Sequence, residues 1–106
     1  MKFGILIQSN DPETAWNAFR FSITCLKKNH QVKIFLMSKG VESISLTDSK
    51  YNVKELAQTF SKEGGILLAC GTCLKSRELD SNDVCPISTM NDCLEMVEWA
   101  DKTITF

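Results

Sequence analysis

The stretch Gly64–Arg77, which reads GGILLACGTCLKSR, decides the fold. Its glycine pair predicts the end of a helix, because glycine accepts the left-handed conformation that closes many helices. The apolar run Ile66–Ala69 has the length and continuity of a strand that is covered on both faces. The polar residues after it predict a loop and then a short helix over Leu74–Arg77. A helix end, a buried strand and a helix start in close succession are typical of an α/β protein.

Short apolar runs and helical patterns alternate along the rest of the chain in the same way. The runs have strand length and are bounded by residues that favour turns. The predicted strands are Lys2–Gln8, Val32–Met37, Ile66–Ala69, Val84–Ile87 and Lys102–Phe106. A polar, serine-rich connection is expected over 41–51, between the second strand and the helix that follows it.

Three longer helices are predicted between the strands, each with a capping residue at its start. Asp11 is expected to cap the first helix, Asn52 the second, and either Ser88 or Thr89 the last. Apolar residues at helical spacing predict the side of the last helix that faces the core. They are Met90, Cys93, Leu94 and Val97.

This strict alternation predicts a single domain over residues 1–106. Its fold class is α/β, a three-layer flavodoxin-like arrangement of about five mostly parallel strands with helices on both faces. The length of 106 residues suits one domain with one ordinary core.

Charge and composition exclude several classes of protein. The chain has 12 Lys+Arg against 13 Asp+Glu and no basic run, so it does not resemble a nucleic-acid binder. No apolar run approaches the ~20 residues of a membrane span. The first apolar stretch, Phe3–Ile7, is too short for a signal-peptide core. Five cysteines, an odd count, argue against a secreted disulfide framework. We therefore expect a soluble, cytoplasmic protein.

In a parallel sheet, ligands bind beyond the carboxyl ends of the strands. Three loops are expected there, over residues 8–12, 38–51 and 70–73. The first loop contains no glycine, which excludes a dinucleotide fingerprint, and the chain has no P-loop motif. Gln8, Ser9 and Asn10 in this loop are instead expected to supply hydrogen bonds.

The third loop carries a C-x-x-C pair, Cys70 and Cys73. A thiol at the start of a helix is close to free N–H groups and to the positive end of the helix dipole, and both favour the nucleophilic thiolate. The two cysteines are therefore the predicted catalytic residues. The residues expected to stabilise an anionic sulfur or to dock a partner are Gly71, Thr72, Lys75 and Arg77.

Neither a metal nor an organic cofactor is expected. A structural zinc site requires four nitrogen or sulfur ligands. The chain offers Cys70, Cys73 and Cys85, with only His30 or Cys93 as a fourth, and it has no second C-x-x-C. His30 is expected to be a surface residue at a helix end. The remaining cysteines are expected to pack as small apolar residues. These are Cys25, Cys85 and Cys93.

The segment Cys70–Arg77, CGTCLKSR, after an apolar strand resembles the DsrE/DsrF-like proteins, particularly their YchN-like branch. Ile34–Ser38 is similar to the second strand of that branch. Trp99–Phe106 is similar to its W…ADK-x-x-TF ending. The three segments span the chain in order.

This resemblance implies a flavodoxin-like fold and ring-shaped homo-oligomers, either trimers or hexamers. It also implies a sulfur carrier that holds sulfane sulfur as a cysteine persulfide on the loop after the third strand. The partners would then be sulfur donor and acceptor proteins. The key cysteine of the family corresponds to Cys70, and Cys73 corresponds to the second cysteine of the YchN-like branch.

Two other functions remain open at this stage. The same cysteine pair is compatible with a dithiol/disulfide redox protein. Alternatively, the chain is a non-catalytic subunit of an oligomer, with thiols that serve only for packing.

Overall fold

A computed structural model describes residues 1–77 and 87–106. Its strands form one five-stranded parallel sheet in the order β4-β3-β2-β1-β5. The strands are β1 (Lys2–Ile7), β2 (Gln31–Leu36), β3 (Ile66–Cys70), β4 (Ile87–Ser88) and β5 (Lys102–Thr105). The helices are α1 (Pro12–Lys27), α2 (Val53–Lys62), α3 (Gly71–Ser76) and α4 (Met90–Trp99), together with a 3-10 helix over Ser38–Ser45. The α/β fold class expected from the sequence is confirmed.

The predicted capping residues lie at the starts of the helices. The Asp11 carboxylate accepts a hydrogen bond from the Thr14 amide at 2.9 Å, and the Asn52 side chain accepts one from the Glu55 amide at 3.1 Å. Thr89, rather than Ser88, caps the last helix and forms a reciprocal capping box with Asp92. These caps satisfy N–H groups that a helix start would otherwise leave without a partner.

One face of the sheet is covered by α1 and α2, which pack against each other. The rings of Phe19 and Phe60 meet edge to face between these helices, with their centroids 6.0 Å apart. The buried side chains of Ile5, Ile7 and Ile34 point from the sheet to this layer. The helix α2 ends where the glycine pair predicts, since Gly64 has a φ of +96°.

The other face of the sheet is covered by α4. A Cβ atom on Gly4 of β1 would lie 3.1 Å from the Ala100 Cβ and 3.5 Å from the Met96 Cε. The amine of Lys33, which pairs with Gly4 across the sheet, lies 4.3 Å from the centroid of the Trp99 ring. The end of α4 therefore packs directly on β1 and β2.

The predicted core stripe of the last helix is partly wrong. Cys93 is buried as expected, but Met90 and Leu94 are each 57% exposed and Val97 is 40% exposed. Met96 is buried in their place. The helix has apolar residues on two adjoining faces, and helical spacing alone does not decide which of them contacts the sheet.

Several element boundaries differ from the sequence prediction, and one predicted strand lies mostly outside the described residues. The connection expected over 41–51 begins as the 3-10 helix. The short third helix begins at Gly71, not at Leu74, so Cys73 lies on it. Of the predicted strand Val84–Ile87, only Ile87 lies within the described residues, and it pairs with Ala69. No helix in the described ranges is long and apolar enough to cross a membrane.

Candidate functional site

The loops after β1, β2 and β3 meet at the carboxyl edge of the sheet, as the sequence predicts, and Glu42 joins them. Its carboxylate accepts a hydrogen bond from the Arg77 Nε at 2.6 Å and one from the Asn10 Nδ2 at 3.4 Å. Asn10 follows β1, Glu42 lies in the 3-10 helix after β2, and Arg77 follows α3. One acidic side chain therefore holds three segments that are far apart in sequence.

The Arg77–Glu42 pair is partly exposed and has a clear electrostatic effect. The hydrogen bond from Arg77, followed by the one from Asn10, holds the pKa of the Glu42 carboxyl below its usual value. Arg77 also donates to the Cys73 carbonyl at 3.2 Å. In the described part of the chain, the hydrogen bonds of Arg77 go to oxygen atoms. Because one of these belongs to Glu42, the guanidinium fixes the end of α3 against the 3-10 helix.

Cys70 is the last residue of β3 and occupies the cap position of α3. Its side chain is only 5% exposed and makes no capping hydrogen bond to the helix. Side chains alternate along a strand, so Cys70 shares the face of Ile66 and Leu68. Ile66 pairs with Lys33 on the face that α4 covers. The accessible thiol that the sequence predicts at this position is therefore turned into the α4 layer.

Cys73 is only partly buried and turns toward the 3-10 helix. Its Sγ accepts a hydrogen bond from the Ser38 backbone N–H at 3.2 Å. Ser38 has a φ of +53°, a left-handed conformation that costs a residue other than glycine roughly 1–2 kcal/mol. Strained backbone of this kind is found preferentially at functional sites.

The remaining predicted residues of α3 differ in their surroundings. Gly71 is needed for packing, because a Cβ atom there would lie 2.8 Å from the Ile87 Cγ2 and 3.2 Å from the Ser88 carbonyl oxygen. Thr72 and Lys75 are exposed on the helix beside Cys73.

Among the residues that the structure describes, one of the three polar residues after β1 makes a side-chain contact with this site. Asn10 does so through Glu42. The Ser9 hydroxyl accepts from the Asp11 amide at 3.0 Å and so stabilises the turn before α1. Gln8 is exposed, and its backbone N–H donates to the Phe106 carbonyl at 2.9 Å.

Sequence reasoning missed the two residues that organise the site, Ser38 and Glu42. Both lie in the second loop that was expected at this edge. The only local signal is the position of Ser38 directly after an apolar strand. Each acts through a partner about 35 positions away along the chain.

The other titratable residues are placed as follows. Cys25 is buried in α1, and burial raises the pKa of its thiol. His30 lies at the opposite edge of the sheet, where its Nδ1 is 2.8 Å from the N-terminal amine. Cys85 lies outside the described residues. Within residues 1–77 and 87–106, no three His, Cys, Asp or Glu side chains come together as metal ligands.

Comparisons with known proteins agree with this architecture. The profile of the DsrE/DsrF-like family matches residues 1–106. An uncharacterized protein of Methanocaldococcus jannaschii is 31% identical over 114 aligned positions, which cover 100% of both chains. An uncharacterized protein of Methanopyrus kandleri is 34% identical over 100 positions, 89% of this chain and 83% of that protein.

A solved structure shows the same fold. It is that of a conserved protein of unknown function from Bacteroides thetaiotaomicron, with a TM-score of 0.79. The match covers 99% of this chain and 94% of the other, at 16% sequence identity. The family profile and the curated relatives together span the whole chain. The chain therefore belongs to the DsrE/DsrF-like family, which is associated with sulfur relay.

Proposed function

We propose that this protein is a small sulfur carrier in which Cys73 accepts sulfane sulfur from a donor protein and passes it to an acceptor. The observation that carries the proposal is the Ser38 N–H donated to a partly exposed Cys73 Sγ at 3.2 Å. Hydrogen bonds to a charged acceptor are stronger than those to a neutral one. The Ser38 amide is therefore placed to donate a hydrogen bond to the sulfur as it attacks.

The reaction needs no organic cofactor. The Cys73 thiolate attacks the outer sulfur of a donor persulfide, the S–S bond of the donor breaks, and the donor leaves as a thiolate. The product is a persulfide on Cys73. An acceptor thiolate then attacks the outer sulfur of that persulfide, the S–S bond to Cys73 breaks, and the Cys73 sulfur leaves as a thiolate beside the Ser38 amide.

The surroundings of Cys73 support partner docking. Thr72 and Lys75 are exposed on the same short helix, so an approaching protein meets one hydroxyl and one cation next to the thiol. The ion pair between Arg77 and Glu42 fixes this helix against the neighbouring loop. An acidic surface on the partner would complement Lys75.

Cys70 is the alternative carrier, and the family resemblance favours it. Its burial beneath α4 argues against direct attack on a protein-bound donor, because a thiol must be reached to react. Dithiol chemistry within the C-x-x-C is also less supported. The Cys70 side chain faces the α4 layer, whereas the Cys73 sulfur bonds to the Ser38 amide beside the 3-10 helix.

The proposal extends to the expected homo-oligomer, a trimer or a hexamer. An apolar stripe on α4, formed by Met90, Leu94 and Val97, is exposed on this single chain. Exposed apolar stripes of this kind are typical of protein interfaces. A second copy of the chain is the occupant that the family resemblance implies.

The carrier role is tested by intact mass after incubation with a sulfane-sulfur donor. The variants are Cys73→Ser and Cys70→Ser, and Cys25→Ser is the control, because Cys25 is buried in α1 away from the site. We expect a reducible gain of one sulfur atom in the wild type, in Cys25→Ser and in Cys70→Ser, but not in Cys73→Ser.

The other outcomes are equally informative. If the added sulfur is lost only in Cys70→Ser, the carrier function stands and Cys70, not Cys73, is the nucleophile. Loss of two hydrogens in place of a gain would support dithiol redox chemistry. An unchanged mass in every protein would refute the carrier function.

A further inference from the structure

Two buried thiols from different elements lie on the same side of the sheet. Cys70, at the end of β3, faces the α4 layer, and Cys93 of α4 is buried with only 8% exposure. Both belong to one continuous hydrophobic core. They are free thiols in this structure.

The connection between β4 and α4 brings Cys93 close to Cys70. Cys70 pairs with Ser88 across the sheet, and Thr89 then caps α4. The Cys93 amide donates to the Thr89 carbonyl at 3.2 Å, so Cys93 lies one helical turn beyond the strand neighbour of Cys70.

The two sulfurs also interact electrostatically. Burial, and after it the charge of Cys70, raises the pKa of the Cys93 thiol. No step of the proposed sulfur transfer uses Cys93.

We propose that Cys70 and Cys93 form a redox pair, which closes as a disulfide between β3 and α4 when the protein meets a hydroperoxide. The pair shares Cys70 with the C-x-x-C but joins it to Cys93 in place of Cys73, whose sulfur accepts a hydrogen bond from the Ser38 amide. It goes beyond the proposed sulfur-carrier function and does not depend on it.

The chemistry balances in two steps. Hydrogen peroxide is small and neutral, so local opening of α4 admits it to Cys70 where a protein-bound donor is excluded. It converts the Cys70 thiol to a sulfenic acid and releases one water. The Cys93 sulfur then attacks the Cys70 sulfur, the S–O bond breaks, and the proton of Cys93 leaves with the hydroxide as a second water. In total, two thiols lose two electrons and two protons, and one peroxide is reduced to two waters.

The pair is tested in a Cys85→Ser background, which removes the one cysteine outside the described residues. The protein is treated with equimolar hydrogen peroxide, its remaining thiols are alkylated with iodoacetamide, and its intact mass is measured by mass spectrometry. Cleavage before aspartate residues then separates the peptide that begins at Asp92, which contains Cys93, from preceding residues. Cys93→Ala removes the proposed partner, and Cys73→Ser is the matched control within the C-x-x-C. Cys93→Val, which fills the space of the sulfur with a branched apolar side chain, replaces Cys93→Ala if circular dichroism shows loss of the fold.

We expect a loss of two hydrogens in the background protein and in the Cys73→Ser variant, with the Cys70 and Cys93 peptides joined. The loss should be absent when Cys93 is replaced. A disulfide that persists without Cys93 and disappears without Cys73 would overturn the proposal in favour of the C-x-x-C. Oxidation without any disulfide would overturn it as well. A disulfide within the C-x-x-C would bear on both proposals, whereas oxidation without any disulfide would overturn the redox pair and leave the sulfur gain expected at Cys73 unaffected, so the two failures are distinguishable.

Discussion

Gly40 links the fold to the thiol site, because it lies near the start of the 3-10 helix and against the end of β1. A Cβ atom on Gly40 would overlap the backbone carbonyl of Ile7 and would lie 3.1 Å from the Cα of Gln8. Both neighbours are backbone atoms, so neither can move aside as a flexible side chain does. Gly40→Ala must therefore displace the 3-10 helix, and with it the Ser38 amide that bonds to Cys73.

Gly40→Ala should lower both the stability of the fold and the rate at which Cys73 reacts. Overpacking costs about 1–3 kcal/mol, and backbone on the opposing side places Gly40→Ala near the upper end, at about 3 kcal/mol. The midpoint of thermal unfolding should then fall by roughly 12 °C or more. The Ser38 N–H donates to the Cys73 sulfur, and its displacement removes a hydrogen bond worth about 1.5 kcal/mol to the sulfur as it attacks. The reaction of Cys73 with iodoacetamide should therefore slow by about tenfold.

The matched control is Gly64→Ala. Gly64 has a φ of +96° and no atom within 4 Å of its would-be Cβ, at the end of α2 away from the thiols. A left-handed alanine costs about 1–2 kcal/mol, so stability should fall while the Cys73 rate stays unchanged. Urea unfolding followed by circular dichroism gives the stability, and peptide mass spectrometry gives the alkylation rate. If Gly40→Ala loses stability but leaves the Cys73 rate unchanged, the proposed link between Gly40 and the thiol is refuted.

Three further predictions concern the site, the core and the surface. The pKa of Glu42 is lowered in the folded protein, so its ion pair stabilises the fold at pH values above the ordinary pKa of 4.5. This stabilisation is lost as the pH falls through the lower pKa of the folded state. The difference in unfolding free energy between wild type and Glu42→Gln, measured by urea unfolding, should therefore persist at neutral pH and vanish in acid. Phe60→Ala removes a fully buried ring that meets Phe19 edge to face, and should lower the free energy of unfolding by about 3–5 kcal/mol in the same assay. Leu94→Lys places a charge in the exposed apolar stripe of α4 and should shift the mass measured by light scattering toward that of the monomer. If the wild type is oligomeric and Leu94→Lys has the same mass, the stripe is not part of the interface.

Features set by local sequence were predicted well. The Asp11 and Asn52 caps depend on an amide three residues away, and the helix end at Gly64 depends on the conformational freedom of one residue. The parallel sheet follows from apolar runs that alternate with helices, because a run buried on both faces needs helices on both sides.

Features set by contacts between distant segments were not predicted. The side of α4 that faces the sheet depends on the space that Gly4 leaves for Met96, which helical spacing does not encode. The hydrogen bond from the Ser38 amide to the Cys73 sulfur joins the 3-10 helix that follows β2 to the helix α3 that follows β3. The spacing of the C-x-x-C predicts both thiols as site residues, but only the folded chain distinguishes a partly exposed Cys73 from a buried Cys70.

The central claim is that Cys73 is the residue that carries sulfur. The most direct measurement is the position of the added sulfur after the wild-type protein meets a sulfane-sulfur donor. Rapid alkylation would trap the persulfide, and fragmentation of the peptide that contains both cysteines would assign it. The account predicts one additional sulfur atom on Cys73 and an ordinary alkylated thiol on Cys70. An additional sulfur found on Cys70 alone would contradict it.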